Sequence, residues 1–173
     1  PFGLLLAAGC LVGGILLALA LPSPFLLVLA GYLVLTTGYS FYLKQFVLLD
    51  VIVLAQLYTV RVYGGGAATG VAPSHWLLTF SLFLFLSLAL VKRFTELRLM
   101  SQAEGKGLHG RGYWVTDLEH ISSIGTASGL LAVLVLALYI SSKEVLLLYT
   151  HADVLWLVCP VMLYWISRVW MLA

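Results

Sequence analysis

Residues 76–91 read WLLTFSLFLFLSLALV, a run without a single charge, and the charge of the chain is concentrated directly after it. The segment from Lys92 to Glu119 holds nine of the sixteen charged residues within 28 positions. An uninterrupted apolar run of this kind predicts a helix in a hydrocarbon environment. The charged segment that follows predicts a polar loop outside the membrane, and its basic residues indicate an anionic ligand.

The composition of the whole chain agrees with a membrane location. Hydrophobic residues make up 62% of the sequence and charged residues only 9%, whereas roughly a quarter of the residues in an average soluble domain are charged. This excludes an ordinary soluble domain. We expect membrane lipid, and no nucleic acid, among the partners of the protein.

Working outward from this boundary, we find six apolar blocks of the length that a helix needs to cross a bilayer, about 20 residues. They are approximately Phe2 to Ala20, Phe25 to Leu43, Leu48 to Gly65, Trp76 to Val91, Ile121 to Ile140 and Val154 to Leu172. Apolar and polar residues do not alternate in them, which argues against spanning β-strands. The sequence therefore predicts an all-α integral membrane protein, a multi-helix transmembrane bundle of about six spanning helices forming one domain over residues 1–173.

The connections between the blocks differ in charge, and this difference predicts an orientation. Because successive connections alternate sides, the short turns at Pro22 and Pro73 share one face with residues 141–153, and the two charged connections share the other. The charged face carries six basic residues against Lys143 opposite; the six are Lys44, Lys92, Arg93, Arg98, Lys106 and Arg111. The positive-inside rule places that face in the cytoplasm.

Two charged residues lie in the third block. Arg61 follows Asp50 by eleven residues, almost three helical turns, so both are predicted on one helix face. An arginine within a membrane span is costly unless it faces a cavity or a partner. The alternative is that Arg61 snorkels toward the opposite headgroups, because Gly64 to Gly66 suggest that the helix ends there. The sequence leaves both interpretations open.

The ends of the second and fourth blocks offer further candidates for phosphate binding. Lys44 is either an interfacial lysine or a phosphate contact. Lys92 and Arg93 are spaced for ion pairs with Glu96 at i,i+4 and i,i+3, which suits an interfacial anchor as well as a binding site. Arg111 belongs to a glycine-rich basic segment, residues 105–112, that could wrap an anionic group. Asp117 is predicted to cap the fifth helix.

Several strings resemble a known family in combination. They are Tyr39-Ser-Phe-Tyr-Leu-Lys44, Leu49-Asp50-Val51, Tyr58-Thr-Val-Arg61 followed by three glycines, and Leu90-Val-Lys-Arg-Phe-Thr-Glu-Leu97. From about Gly31 onward the chain resembles the second half of the UbiA superfamily of membrane prenyltransferases. It is most similar to the branch with polyprenyl-phosphate phosphoribosyltransferases. The resemblance implies a nine-helix bundle, of which this chain is expected to be a fragment supplying helices three to eight.

The resemblance also implies roles for particular residues. The implied catalytic residues are Lys92, Arg93 and Glu96. The residues expected to bind the diphosphate or phosphate of the substrate are Tyr39, Lys44, Asp50 and Arg61, together with Arg111 of the glycine-rich segment. Where many family members carry a second Asp-rich motif, this chain has Lys92-Arg93-x-x-Glu96, which suits direct phosphate contact better than bridging metal ions.

The implied function is UbiA-type transfer of an alkyl or prenyl group from an isoprenoid diphosphate to a small-molecule acceptor, at a cytosolic-facing site in the bacterial inner membrane. The resemblance implies Mg²⁺ as cofactor, but the first Asp-rich motif is absent from this chain. Its metal ligands are therefore unknown, with Glu96 as a possible one. The first alternative is phosphoribosyl transfer from phosphoribosyl diphosphate to a polyprenyl phosphate. The second is a transporter or an inactive homologue, and we expect the fragment alone to be inactive.

Overall fold

The computed structural model describes residues 2–102, 112–149 and 151–173. Most of the predicted glycine-rich basic segment, including Arg111, lies outside the described residues. The described residues fold into seven α-helices: α1 (Phe2–Leu19), α2 (Ser23–Phe41), α3 (Leu49–Thr69), α4 (His75–Gln102), α5 (Leu118–Ile140), α6 (Lys143–Leu148) and α7 (Val158–Leu172). The described parts contain no β-strand, so the predicted all-α fold class is confirmed.

Five segments of the described residues are long and apolar enough to cross a membrane. They are Ser23–Phe41, Leu49–Thr69, His75–Ser101, Val115–Ile140 and Asp153–Leu172. Helix α1 coincides with the first predicted block. The chain is therefore an integral membrane protein built as a helical bundle.

Helix α3 does not end at the three glycines, as the sequence suggested. It continues to Thr69 and ends at Gly70, whose φ of 73° is the left-handed conformation that suits glycine at a helix C-terminus. Gly66 allows a close approach, since a Cβ there would lie 2.6 Å from Pro73 Cδ and from the carbonyl oxygen of Val71. Glycine is tolerated inside membrane helices because it permits such contacts.

Helix α4 is longer than its predicted block, so the charged segment does not begin as a loop. The helix continues past Val91 to Gln102 and carries Lys92 and Arg93 with it. Leu90, Arg93 and Leu97 follow one another at helical spacing and are all at most 1% exposed. Packing of this face against the core explains why the helix continues into charged sequence.

The last predicted block also needs correction at its start. Residues Ala152–Leu157 form 3₁₀ turns, and the α-helix begins only at Val158. Pro160 is the third residue of α7, a position where its missing N–H costs no helical hydrogen bond. The predicted connection over residues 141–153 itself contains the short helix α6.

Helices α3, α4 and α5 meet in a core near the end of the bundle that carries the charged connections. The buried members of this core are Val51, Ala89, Leu90, Leu97, Tyr113 and Ile121. Helix α7 packs closely against α5 at a glycine, because a Cβ on Gly129 would lie 2.6 Å from Ile166 Cγ2. Trp170 Nε1 donates to Ser87 Oγ at 3.0 Å, and Ser87 Oγ donates to the carbonyl of Gly125 at 2.7 Å. These contacts hold α4 against α5 and α7.

Candidate functional site

Arg93 is the centre of a buried ion-pair network that joins two helices. Its Nε donates to Asp50 Oδ2 at 2.6 Å, and its Nη1 donates to Glu96 Oε2 at 2.5 Å. Arg93 is 1% exposed, Asp50 is fully buried and Glu96 is 29% exposed on its side chain. The i,i+3 pair predicted between Arg93 and Glu96 is therefore present. The pairing of Arg93 with Asp50, 43 residues away, had no signal in the sequence.

A residue that the sequence analysis missed completes this network. The hydroxyl of Tyr113 donates to Asp50 Oδ1 at 2.5 Å and accepts a hydrogen bond from the backbone N–H of Leu48 at 2.9 Å. Tyr113 is only 1% exposed. Both carboxylate oxygens of Asp50 thus have a hydrogen-bond donor, as a buried carboxylate requires.

The environment of Tyr113 favours its neutral form. Burial raises the pKa of the hydroxyl well above its ordinary value, and the hydrogen bond to Asp50 and the charge of Asp50 raise it further. The N–H of Leu48 acts in the opposite direction with a smaller effect. Tyr113 therefore remains a hydrogen-bond donor to Asp50 at any physiological pH.

Residues of the two charged connections meet at this network, because Tyr113 contacts Leu48 and Asp50. Leu48 has a φ of 63°, and the N–H of Leu49 donates to the carbonyl of Val47 at 2.8 Å, which makes a γ-turn before α3. Gly112, with a φ of 69°, packs on this turn, because a Cβ there would lie 3.2 Å from Val47 Cγ2. The segment before α5 is therefore docked on the connection between α2 and α3.

The carboxylate of Asp117 lies at the start of α5, where a capping residue was predicted. Its Oδ2 accepts a hydrogen bond from the N–H of Trp114 at 2.9 Å. This bond closes the 3₁₀ turn Val115–Asp117 that precedes α5, whereas no side-chain cap reaches the first turn of α5 itself. Asp117 thus has a structural role, one turn earlier than predicted.

A cavity of about 440 Å³ lies beside the network, between α2, α3 and α4. Its polar wall includes Tyr39, Lys92 and Arg93, three of the predicted site residues. Its remaining wall is apolar and aromatic, formed by Leu54, Tyr58, Phe85, Leu88 and Ala89. Lys92 is exposed while its neighbour Arg93 is buried. The arrangement can hold a molecule with an anionic end and an apolar body, with Lys92 available to the anion.

Arg61 lies apart from the network, about 16 Å further along α3 by helical rise. Its guanidinium carbon is 4.9 Å from the ring centroid of Tyr58 and 5.3 Å from that of Tyr32. Its Nε and Nη2 donate to the Tyr32 hydroxyl at 3.0 and 2.5 Å. Arg61 also lines a cavity of about 200 Å³ between α2 and α3, together with Phe25 and Gly64.

The structure thus separates the predicted site residues into three groups. Tyr39, Lys92 and Arg93 line one cavity, and Asp50 and Glu96 are joined to it through Arg93. Arg61 lines the other cavity, between α2 and α3. Lys44 is half-buried in a 3₁₀ turn over Leu43–Gln45 and is not part of the cavity wall, and Arg111 is outside the described residues.

The carboxylates of this site do not fit a magnesium ion. Both oxygens of Asp50 are engaged by Arg93 and Tyr113, and Glu96 faces the same guanidinium. Mg²⁺ prefers carboxylates that are not already neutralised by a cation. Among the residues that the structure describes, no three His, Cys, Asp or Glu side chains come together. The Mg²⁺ requirement stays a prediction from the family resemblance.

Comparison with known proteins gives three partial matches. The chain is 36% identical to the uncharacterized protein y4nM of Sinorhizobium fredii over 173 residues, 99% of this chain and 33% of the relative. It is 33% identical to the nodulation protein NoeC of Azorhizobium caulinodans over 139 residues, 80% of this chain and 45% of NoeC. It is 29% identical to the decaprenyl-phosphate phosphoribosyltransferase of Mycolicibacterium smegmatis over 95 residues, 55% of this chain and 30% of that enzyme.

No protein-family model and no solved structure matches the chain. The chain spans less than half of the length of the curated relatives it matches. The chain is a distant homologue of a decaprenyl-phosphate phosphoribosyltransferase and of NoeC-like proteins.

Proposed function

We propose that this chain forms part of a UbiA-type membrane transferase that binds the phosphate end of an isoprenoid lipid in the cavity beside Arg93. One observation carries the proposal: the cavity of about 440 Å³ combines Lys92 and Arg93 with an apolar and aromatic wall inside a membrane bundle. An isoprenoid phosphate has matching chemistry, because its headgroup is anionic and its chain is a hydrocarbon.

The reaction we favour is phosphoribosyl transfer to a polyprenyl phosphate. In this reaction a phosphate oxygen of the lipid attacks C1 of the ribose, the bond from C1 to the diphosphate oxygen breaks, and the diphosphate leaves with the electron pair. The exposed ammonium of Lys92 would neutralise negative charge at the mouth of the cavity. The distant similarity to a decaprenyl-phosphate phosphoribosyltransferase supports this choice.

Arg93 would act differently from Lys92. Its guanidinium is buried and already donates to two carboxylates, so much of its charge is neutralised before any substrate arrives. Arg93 would therefore shape the cavity wall and hold Asp50 and Glu96 in place. This role differs from the direct phosphate contact that its position in the sequence suggested.

Prenyl transfer from an isoprenoid diphosphate is the second candidate. It is favoured by the aromatic wall, where the rings of Tyr58 and Phe85 lie 5.1 Å apart. Aromatic faces attract cations, and loss of diphosphate from an allylic carbon generates positive charge on that carbon. In this reaction the ammonium of Lys92 would stabilise the negative charge of the leaving diphosphate.

A pair of assays on the full-length protein separates the two reactions. Membranes containing it are supplied with labelled phosphoribosyl diphosphate and polyprenyl phosphate, or with labelled prenyl diphosphate and candidate acceptors, each with Mg²⁺ and with a chelator. We expect lipid-linked phosphoribose. Label only from the prenyl donor would select the second candidate, and no product in either assay would count against a transferase and favour a transporter or an inactive homologue.

A pair of matched variants tests the site itself. Lys92→Ala removes the exposed ammonium from the cavity wall, and Arg98→Ala removes an exposed cation from the same helix outside the cavity wall. We expect only Lys92→Ala to lower kcat/KM, by about tenfold or more. Equal rates in the two variants would contradict binding of the phosphate at this cavity.

The proposed orientation places the charged connections in the cytoplasm of a bacterial inner membrane. Six basic residues on that face and the positive-inside rule support it. Single cysteines at the exposed positions Gln45 and Ser141, introduced into a variant that lacks Cys10 and Cys159, should report opposite sides to a membrane-impermeant thiol reagent. We expect Gln45 to be protected in intact cells that have a permeabilised outer membrane. Labelling of Gln45 from outside would reverse the orientation.

A further inference from the structure

Tyr113 contacts the candidate site without lining its cavity. It follows the segment outside the described residues, it comes before α5, and it reaches across to α3. Its hydroxyl makes two hydrogen bonds of opposite sense, one donated to Asp50 Oδ1 and one accepted from the N–H of Leu48. A single oxygen atom therefore joins the segment before α5 to the first turn of α3 and to the turn that precedes it.

The bond to Asp50 extends to the cavity wall. Asp50 Oδ2 accepts from Arg93 Nε, and Arg93 lines the cavity beside Lys92. With both oxygens occupied, the carboxylate of Asp50 cannot rotate without breaking a buried hydrogen bond. The direction of the Arg93 guanidinium is therefore set by Asp50, and the direction of the Asp50 carboxylate is set in part by Tyr113.

The bond to Leu48 has a separate effect. Leu48 has a positive φ of 63°, a strained conformation for a non-glycine residue that persists only where the surroundings hold it. The Tyr113 hydroxyl accepts the N–H of this strained residue. Gly112 packs against the same connection, so that the contact continues over two residues.

We propose that Tyr113 is a positioning residue that fixes Arg93 at the cavity wall through Asp50 and, with the same hydroxyl, holds the strained turn at Leu48. Its role in turnover rests on the proposed transferase function, whereas its role in holding the turn does not. Tyr113 acts through Asp50 and Arg93, so it needs no contact with substrate.

The test uses Tyr113→Phe in the full-length protein, which removes the hydroxyl and keeps the packed ring. Tyr42→Phe is the matched control, because Tyr42 lies on the same face of the bundle and is 72% exposed. Hydrogen exchange of a peptide covering residues 45–50 includes the Leu48 N–H, and overlapping fragments assign the change to that amide. We expect exchange at least about tenfold faster in Tyr113→Phe and unchanged in Tyr42→Phe. Unchanged exchange in Tyr113→Phe would overturn the proposal.

Turnover measures the second half of the proposal. We expect Tyr113→Phe to lower kcat/KM about tenfold, and adding it to Asp50→Asn to cause no further loss, because the hydroxyl acts through Asp50. Losses that multiply in the double variant would indicate a merely structural role and overturn the positioning role. If the wild-type protein is inactive with both donors, the proposed function fails, and the exchange measurement still decides whether Tyr113 holds the turn.

Discussion

Replacing Arg93 by methionine tests whether the buried ion pair organises the candidate site. The substitution keeps a long flexible side chain and removes the charge. Among the side chains that the structure describes, the fully buried Asp50 then keeps the Tyr113 hydroxyl as its one donor. Removing one partner of a buried ion pair typically costs about 3–5 kcal/mol. The pair with Glu96 adds little, because the side chain of Glu96 is 29% exposed and partly exposed pairs contribute about 0–1 kcal/mol.

The assay is equilibrium unfolding of the full-length protein in mild detergent with increasing denaturant. We expect Arg93→Met to lose about 3–5 kcal/mol of unfolding free energy. Arg98→Met is the control on the same helix, and as an exposed substitution it should change stability by less than about 0.5 kcal/mol.

A double variant separates loss of charge pairing from loss of packing. In Asp50→Asn/Arg93→Met the buried negative charge is gone as well, so the main cost of the single variant disappears. We expect the double variant to be more stable than Arg93→Met alone. If the double variant is equally unstable, the cost arises from packing, and the reasoning from the buried charge is refuted.

Three further outcomes follow from the same structure. Gly129→Ala should destabilise the bundle by about 1–3 kcal/mol, because the new Cβ would lie 2.6 Å from Ile166 Cγ2. Gly38→Ala is the control and should not destabilise it, because a Cβ at Gly38 meets no atom within 4 Å. Denaturant unfolding compares the two variants. The unfolding free energy, measured at increasing pH, should fall above about pH 10. The raised pKa of Tyr113 keeps its hydroxyl protonated in the folded protein, whereas the same hydroxyl ionises in the unfolded chain. Tyr113→Phe should make the fall of stability with pH less steep. Lys92→Met should leave unfolding unchanged within about 0.5 kcal/mol, because the side chain is exposed, and a larger loss would indicate that Lys92 has a structural role.

Sequence alone predicts the fold class and the helix order of this chain, because the hydrocarbon core of a membrane sets the length and composition of the helices that cross it. A membrane helix needs about 20 apolar residues, and each predicted block contains a helix. Helix ends are less predictable, because they depend on packing. The three glycines from Gly64 looked like an end and instead provide close contacts, while α4 continued past Val91 because Leu97 packs in the core.

The candidate site was predicted in part for a related reason. Lys92, Arg93 and Glu96 are close in sequence, so helical spacing could bring them together. Asp50 is 43 residues from Arg93 and pairs with it from α3, and Tyr113, 20 residues from Arg93, joins the network through Asp50. Tyr113 offered no signal of its own, since a single tyrosine near a membrane interface is usually an interfacial anchor. Such long-range contacts need the three-dimensional packing of α3, α4 and α5.

The stacking of Arg61 between two tyrosine rings has a consequence for how the chain enters the membrane. Among the five spanning segments, α3 has the lowest mean hydropathy, and an arginine near the centre of a span costs about 2.5–3.5 kcal/mol during insertion. Tyr58 travels with α3, but Tyr32 belongs to α2. We expect α3 to be retained at the insertion machinery until α2 is beside it, so that the two helices are released into lipid as a hairpin. During biosynthesis, Tyr32 on α2 would then stabilise the Arg61 guanidinium as α3 enters the lipid.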